Sequence, residues 1–458
     1  MTARTTHLSP RFARCTGDAT ATSNVLAVLL LGTVLGVSWP HAARAQHAPD
    51  RPPHTAASPE TRAERHGSQL GLVEAVRLSR GDQPAIDAFE SDAVASEEAA
   101  VAARTLPDLQ VTAGVRDFPV TGRNRFSPTA DNFTMYMIGL MREQVRRSKR
   151  EAEAARLRAE AFASRKEATA QERRIQREVM IAWLNAVEAK AKQNYVNRLI
   201  ADLNVGHQVS EASIPTGGST PALALQMQAE IALAEATRAK AVGDEAKARG
   251  ELARWIGAAA QRPLPDRIPT LEPLLRDARA VNFATHPEVL LGDAQQIAAQ
   301  RQVDVARADR KRDLSWSVSY GWRPSFGDLV SANVTIPLLI NKANRQDRRV
   351  AEAAARANAA NLRTLDTWRE LSGAYEAALA EYRSAEAQLS ILTGRAIPSL
   401  EASFQAAEAR YGAGQGSLEV PLTIVRRYIE ISIEAIEQQA QRARAAAELT
   451  YLTEDVAR

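Results

Sequence analysis

The residue types that most often carry chemistry are thin in this chain. Seven histidines are present. His47, His54 and His66 fall in a stretch rich in Pro, Ala and Arg, where a metal-scavenging tract competes with the favoured reading, a polar tail. His207 and His286 stand alone and read as surface residues. The sequence has no HExxH motif, no phosphate-cradling Gly loop and no nucleophile elbow. Met135, Met137 and Met141 recur at period two on one strand face. Thioethers select Cu(I), but a lipid-facing or core stripe is the expected role. The chain is therefore read as carrying no catalytic residue, no metal site and no cofactor.

The only cysteine, Cys15, lies ahead of an apolar run over Val25–Trp39. Arg4, Arg11 and Arg14 precede that run, and Ala43-Arg44-Ala45 follows it as a small-x-small cleavage site. This is the layout of a secretory signal peptide over residues 1–45. The exported chain then has no disulfide, no thiolate ligand and no lipid-accepting Cys. Residues 46–69 read as a flexible leader. A net charge of +4 with 24% charged residues describes a solvated surface and argues against nucleic acid as a partner. Scarce aromatics and abundant Ala suit long, closely packed helices. No second run of eighteen apolar residues occurs, so any membrane crossing falls to strands.

Leu314–Ile336 supplies such strands. Leu314, Trp316, Val318, Tyr320 and Trp322 alternate with Ser315, Ser317, Ser319 and Gly321. After a turn at 323–328, Val330, Ala332, Val334 and Ile336 alternate with Ser331, Asn333 and Thr335. Strict alternation puts the apolar groups on one face and the small polar ones on the other. Arms of about nine residues match tilted transmembrane strands. Trp316, Tyr320 and Trp322 are rings suited to the membrane–water interface. A second pair is expected over 109–115 and 134–141, joined by a longer loop.

The chain reads as two copies of one unit, 70–260 and 279–458, joined by a Pro-rich linker over 261–278. Each copy opens with an Ala-rich helix after a Pro (84–104 and 287–310). A strand pair begins at Asp108-Leu109 or Asp313-Leu314. A long helical run follows (about 143–204 and 341–410), which would reach roughly 90–105 Å if continuous. Basic clusters, Arg142–Arg150 and Lys342–Arg349, start these runs, and anionic headgroups or i,i+4 partners are both fitting. Each run ends at a Gly-rich break, 209–221 or 411–421, before a returning helix. Gly217, Gly218, Ser219, Tyr411, Gly412, Gly414, Gly416 and Ser417 occupy these breaks. Ser219 or Thr220, and Ser417, are suitable N-caps. A hairpin tip at the free end of a tube is the surface open to a partner, and Gly there allows close backbone approach.

Only closed barrels satisfy strand backbones in lipid. Four strands cannot close, since about eight is the practical minimum. Copies of the chain must share a barrel.

In this layout the chain resembles the TolC family of outer-membrane efflux proteins, from about Leu70 onward. The resemblance is carried by the duplicated helix-after-Pro opening, Leu106-Pro107-Asp108-Leu109, Met137-Ile138-Gly139-Leu140 before a basic helix, and the Tyr411–Val420 tip. It implies a mainly α fold with a β membrane part: a homotrimer with a twelve-stranded barrel and a long antiparallel α-helical barrel in the periplasm. It also implies a passive, non-enzymatic exit duct working with a periplasmic adaptor and an inner-membrane transporter, of the resistance-nodulation-division type. The tips would meet the adaptor. Thr423 stands where the family often has a gating Asp, which leaves Glu419 as the nearest acid at a pore gate. The Tyr136–Leu140 strand and the absent lipobox look more like the heavy-metal branch than the drug branch.

Two other functions stand beside a duct for metal cations: the outer-membrane duct of a type I protein or drug export system, and a periplasmic adaptor. An adaptor would need a compact β-rich domain and a single hairpin. A purely structural coiled coil would not need the amphipathic strands.

Overall fold

A computed structural model describes residues 69–453 except 82, 216–218, 274–280, 325 and 414–418. The stretch read as a signal peptide, 1–45, and all of the expected leader but residue 69 lie outside the described residues. So do Gly217, Gly218, Gly414, Gly416 and Ser417.

Helices dominate. A short helix α1 (Leu72–Leu78) leads to α2 (Pro84–Arg104), whose Pro sits at the first helical turn, where its missing N–H costs nothing. Strands β1 (Gln110–Arg116) and β2 (Met135–Gln144) precede α3 (Arg147–Ser213), a helix of 67 residues and thus about 100 Å. It returns through α4 (Pro221–Ile256). The second half brings α5 (Pro287–Ala308), β3 (Leu314–Arg323), β4 (Phe326–Thr335), α6 (Gln346–Ile391), α7 (Ile397–Gly412) and α8 (Glu419–Thr453). Among the described residues no helix is long and apolar enough to cross a membrane.

Helix α3 is the spine: α2, α4, α5 and α8 all pack along it. Its buried positions are largely Ala, with Ile175, Val179, Met180, Trp183, Leu184 and Val187 at the centre. Small side chains let the helix axes approach closely, and the larger ones fill the middle. The Trp183 indole donates to the Leu70 carbonyl at 2.9 Å, tying the first described turn to the spine. A second cluster joins Phe283, Leu371, Tyr375 and Leu379 to Leu449 and Leu452. The Pro-rich stretch after α4 is extended but packed: Leu264 and Ile268 are buried in the first cluster, and Arg262 pairs with Glu74.

The strands form one sheet in the order β1-β2-β3-β4, every pair antiparallel. The two expected hairpins are thus joined, β2 to β3, and β1 and β4 are left as edges. The turn between β3 and β4 is tighter than expected. Arg323 pairs with Phe326, and the register slips between Gly321 and Arg323.

Three further expectations need correcting. The second long run is not one uninterrupted α-helix. Pro398 lies within it and lacks the N–H for an i→i−4 bond; a π turn at Leu392–Ala396 absorbs the mismatch just before it. Helix α3 continues through Val209 to Ser213, and Tyr411 and Gly412 complete α7, so the breaks are shorter than composition suggested. His286 is not a surface residue. It is 1% exposed, packs edge-on against Tyr451 at 5.3 Å, and caps α5 by accepting from the Glu288 N–H at 3.3 Å. His207 is half-buried on α3, facing Glu211 at 3.9 Å.

Candidate functional site

The sheet separates two chemistries by register alone. Across it run Val111–Leu140–Val318–Ala332 and Ala113–Ile138–Tyr320–Val330, flanked by Tyr136–Trp322 and by Trp316–Val334. Most of these groups are exposed, with Val330 at 72%. The opposite face carries Thr112–Gly139–Ser319–Ser331 and Gln110–Met141–Ser317–Asn333. Trp316 lies at one end of the apolar band and Tyr320 and Trp322 at the other. Six residues at about 3.3 Å each set Trp316 and Trp322 about 20 Å apart. The Tyr136 and Trp322 rings meet at a tilt of 35° with centroids 5.5 Å apart, and the Tyr320 hydroxyl bonds Asp328.

The methionine stripe is not on the apolar band. Met135, Met137 and Met141 lie on the hydroxyl-rich face, opposite the exposed apolar band. Met135 is buried against Gly321, where a Cβ would run into its sulfur. Gly139 is equally confined: a Cβ there would stand 2.9 Å from that of Ser319.

Where the strands meet the helices, Arg146 clamps Asp313. Its backbone N–H and its Nε both donate to Asp313 Oδ1, at 3.0 and 3.1 Å. Its Nη2 donates to the carbonyls of Ala308 and Lys311 at 2.7 and 2.9 Å. Lys149 lies 3.0 Å from Asp309 and 3.4 Å from Asp313. Burial opposes both charges, but the Arg146 N–H and the two cations hold Asp313 below the usual carboxylate range. The two carboxylates likewise hold Lys149 above the usual lysine range. The basic cluster starting α3 is thus largely occupied: Arg142 donates to the Pro107 carbonyl, Arg147 pairs with Glu151, and Arg150 bonds the Arg104 and Val145 carbonyls.

Further along the spine, Arg174 holds Glu288 through two bonds of 2.6 Å and Glu167 through one of 2.9 Å. Arg177 pairs with Glu448 at 2.5 Å and covers the Tyr451 ring. Burial, then the Glu288 charge, pushes the Tyr451 phenol up to about 12.

At the tips, Thr220 is the observed N-cap of α4, accepting from the Leu223 N–H at 3.3 Å, with Pro221 behind it. Ser219 is not a cap. It is buried, and its hydroxyl shares a hydrogen bond with Ser210 across the tip at 2.5 Å. Between the α3 and α7–α8 ends lies a cavity of about 860 Å³ lined by Leu199, Leu203, Met227, Phe404, Tyr411 and Val425, among others. Pro421 and Leu422 also line it, whereas Thr423 is exposed. Glu419 opens α8.

Sequence reasoning missed the Arg146–Asp313 and Arg174–Glu288 clamps. Asp313 drew notice as a strand-start marker, but its partner is 167 residues away.

Comparison with protein-family profiles and with curated proteins gives no match. Solved structures do match. CusC, described with its transmembrane channel formation, superposes with a TM-score of 0.70 at 16% identity, covering 85% of this chain and 93% of its own. The outer membrane protein VceC of Vibrio cholerae gives 0.67 at 18% identity, covering 83% and 95%. The CmeC outer membrane channel of Campylobacter jejuni gives 0.69 at 12% identity, covering 83% and 85%. At such identities the likeness speaks for architecture, and it spans nearly the whole of each relative. A mostly helical chain with one small four-stranded sheet, this protein has the fold of the TolC-family outer-membrane channels.

Proposed function

We propose that this chain is the outer-membrane exit duct of a tripartite efflux system. The observation that carries this reading is the four-stranded sheet: an exposed apolar band on one face, hydroxyls on the other, and two unpaired edges. A sheet of that kind has no stable place in water as a lone copy. Three copies would close it into a twelve-stranded barrel with the apolar band in lipid and Trp316, Tyr320 and Trp322 at the interfaces. The two units, 70–260 and 279–458 around the 261–278 linker, would place two helical hairpins per copy in a periplasmic tube. A signal peptide over 1–45 would deliver the chain there.

In this reading the duct performs no chemistry and holds no cofactor. The tips, with Gly217, Gly218, Ser219, Tyr411, Gly412, Gly414, Gly416 and Ser417, meet a periplasmic adaptor. An inner-membrane transporter, of the resistance-nodulation-division type, supplies the energy. Glu419 and Thr423 stand at the narrow end. Heavy-metal cations are the proposed cargo, with a type I protein or drug export duct as the alternative; the channel likeness favours neither.

Fractionation of cells producing the full chain, followed by single-channel recording of the purified protein in planar bilayers, tests the reading. Outer-membrane recovery, heat-modifiable migration in detergent and discrete conductance steps are expected. A water-soluble monomer without conductance would overturn it. Glu419→Lys should change conductance or cation preference, and an unchanged channel would remove Glu419 from the gate.

A further inference from the structure

The two units differ at one place where their sequences run parallel. Arg146 is the N-cap residue of α3, and Arg345 is the N-cap residue of α6. Asp313 directly precedes β3, and Asp108 lies two residues ahead of β1, each followed by a Leu. Arg146 and Asp313 clamp each other within the chain. Their counterparts, Arg345 and Asp108, are both exposed and make no side-chain hydrogen bond or ion pair among the described residues.

Topology says where the missing partners are. Strands β2 and β3 are antiparallel, so the end of β2 lies beside the start of β3: Gln144 pairs with Leu314. That brings Arg146 to Asp313. The strand order alternates in direction across the sheet, so β4 runs opposite to β1. If the edge of β4 pairs with β1 of another copy, the end of β4 lies beside that copy's β1 start, in the same antiparallel sense. Arg345 then approaches Asp108 of the next copy as Arg146 approaches Asp313.

A second observation is independent of this symmetry. Between β4 and α6, Leu338 and Ile340 are 72% and 89% exposed. Apolar groups this bare beside an unpaired strand edge call for a covering surface. Arg345 stays close to the strand foot: with Arg349 it lines a cavity of about 480 Å³ that also touches Leu314, Thr335, Pro337 and Leu339. Lys149, Asp309 and Asp313 in that cavity are engaged with one another. Lys311, Arg312, Arg345 and Arg349 remain there against Glu143 alone. The surface offered to a neighbour is therefore cationic with an apolar flank, and it suits the exposed Asp108 carboxylate, whose own-chain neighbours Lys149 and Arg150 already bond Asp309, Asp313 and backbone carbonyls.

We propose that Arg345 of one copy clamps Asp108 of the next, repeating between copies the Arg146–Asp313 clamp found within one. The inference rests on the duct reading, which requires copies joined edge to edge. The clamp fixes the register of the joint between copies at its strand–helix boundary, where each copy's tube segment meets its barrel segment.

The test is charge exchange in the full chain purified in mild detergent, with assembly read by native mass spectrometry and circular dichroism reporting the fold. Arg345→Asp and Asp108→Arg should each raise the dissociation constant of the assembly at least about tenfold. The double exchange should restore it, and Arg345→Lys should lose less than Arg345→Asp. Singles that assemble as wild type does, or a double exchange that stays dissociated, would overturn the pairing. Singles that assemble normally but lose a preference for phosphatidylglycerol over phosphatidylcholine would overturn it in favour of a lipid headgroup as occupant. A wild type that never assembles would remove the duct reading itself, whereas an assembled wild type with unaffected singles removes only the clamp.

Discussion

Arg174 on the spine helix grips Glu288 at the start of α5 with two hydrogen bonds of 2.6 Å, joining residues 114 apart in sequence. The contact ties α3 to the first turn of α5 beside α8, where the Tyr451 hydroxyl lies 3.4 Å from the same carboxylate. Bidentate guanidinium–carboxylate geometry fixes direction as well as distance. In a helical assembly built largely on Ala contacts, it supplies specificity that small side chains cannot.

Arg174→Ala should therefore destabilise the chain by about 2 kcal/mol, since it leaves Glu288 partly buried without its main partner. Arg174→Lys should recover only part of that, because a point charge cannot make both bonds. Thermal melting followed by circular dichroism checks both. Equal stability of the Lys variant and wild type would mean that fork geometry is not what matters.

The junction clamp should give the fold an acid-sensitive component. Asp313 is held below its unfolded value of about 4. Its contribution is therefore present above that value and is lost as pH falls through the lower folded value. Lys149, held above its usual range, stays charged throughout and adds no slope there. Asp313→Asn should be less stable than wild type at pH 6–7, and the gap should close toward pH 3. Melting temperatures across that range decide it.

The elements were legible in sequence because their signals are local. Pro84, Pro221 and Pro287 mark helix starts, and the alternation from Leu314 onward is a period-two pattern that one face of a sheet reproduces residue for residue. What stayed hidden was non-local. Nothing near Arg146 names Asp313, and nothing near His286 announces that Tyr451 will cover it. The methionine stripe, expected as lipid-facing or core, is instead a case where strand parity decides. Met135, Met137 and Met141 are apolar by type, but their parity relative to Ile138 and Leu140 puts them opposite the apolar band. Pro398 shows the remaining limit: a Pro inside a helical pattern signals an interruption, and whether the chain turns or inserts a π turn is settled by packing.

Gly139 should tolerate no side chain. Its Cα hydrogens face Ser319 and Thr112, and a Cβ would come within 3.0 Å of Thr112 Oγ1 and 3.1 Å of the Val318 carbonyl. Backbone and short side chains cannot retreat as a Met can, so Gly139→Val should force β1, β2 and β3 apart at a cost of about 1–3 kcal/mol. Loss of heat-modifiable migration, with helical content by circular dichroism retained, is the expected outcome. The same change at Gly114, where a Cβ meets nothing within 4 Å, should be mild.

The sharpest test of which face meets lipid uses two residues at the same depth. Val318 pairs with Leu140 and Ala332 on the apolar face; Asn333 pairs with Ser317 on the hydroxyl face, one step away along the strand. If the apolar face lies in the bilayer, Val318→Arg places a cation near its midplane, which costs about 2–4 kcal/mol per copy. Asn333→Arg puts the same side chain on the lumen face, where water solvates it. The Val318 variant should fail to insert into liposomes or should insert at a small fraction of the wild-type yield. The Asn333 variant should insert normally and alter single-channel conductance. Because both changes introduce the same Arg side chain at adjacent depths, the facing of the strand is what chiefly separates them. Insertion failing for both would indicate a packed sheet interior with no lumen, and insertion succeeding for both would mean that the apolar band does not face lipid.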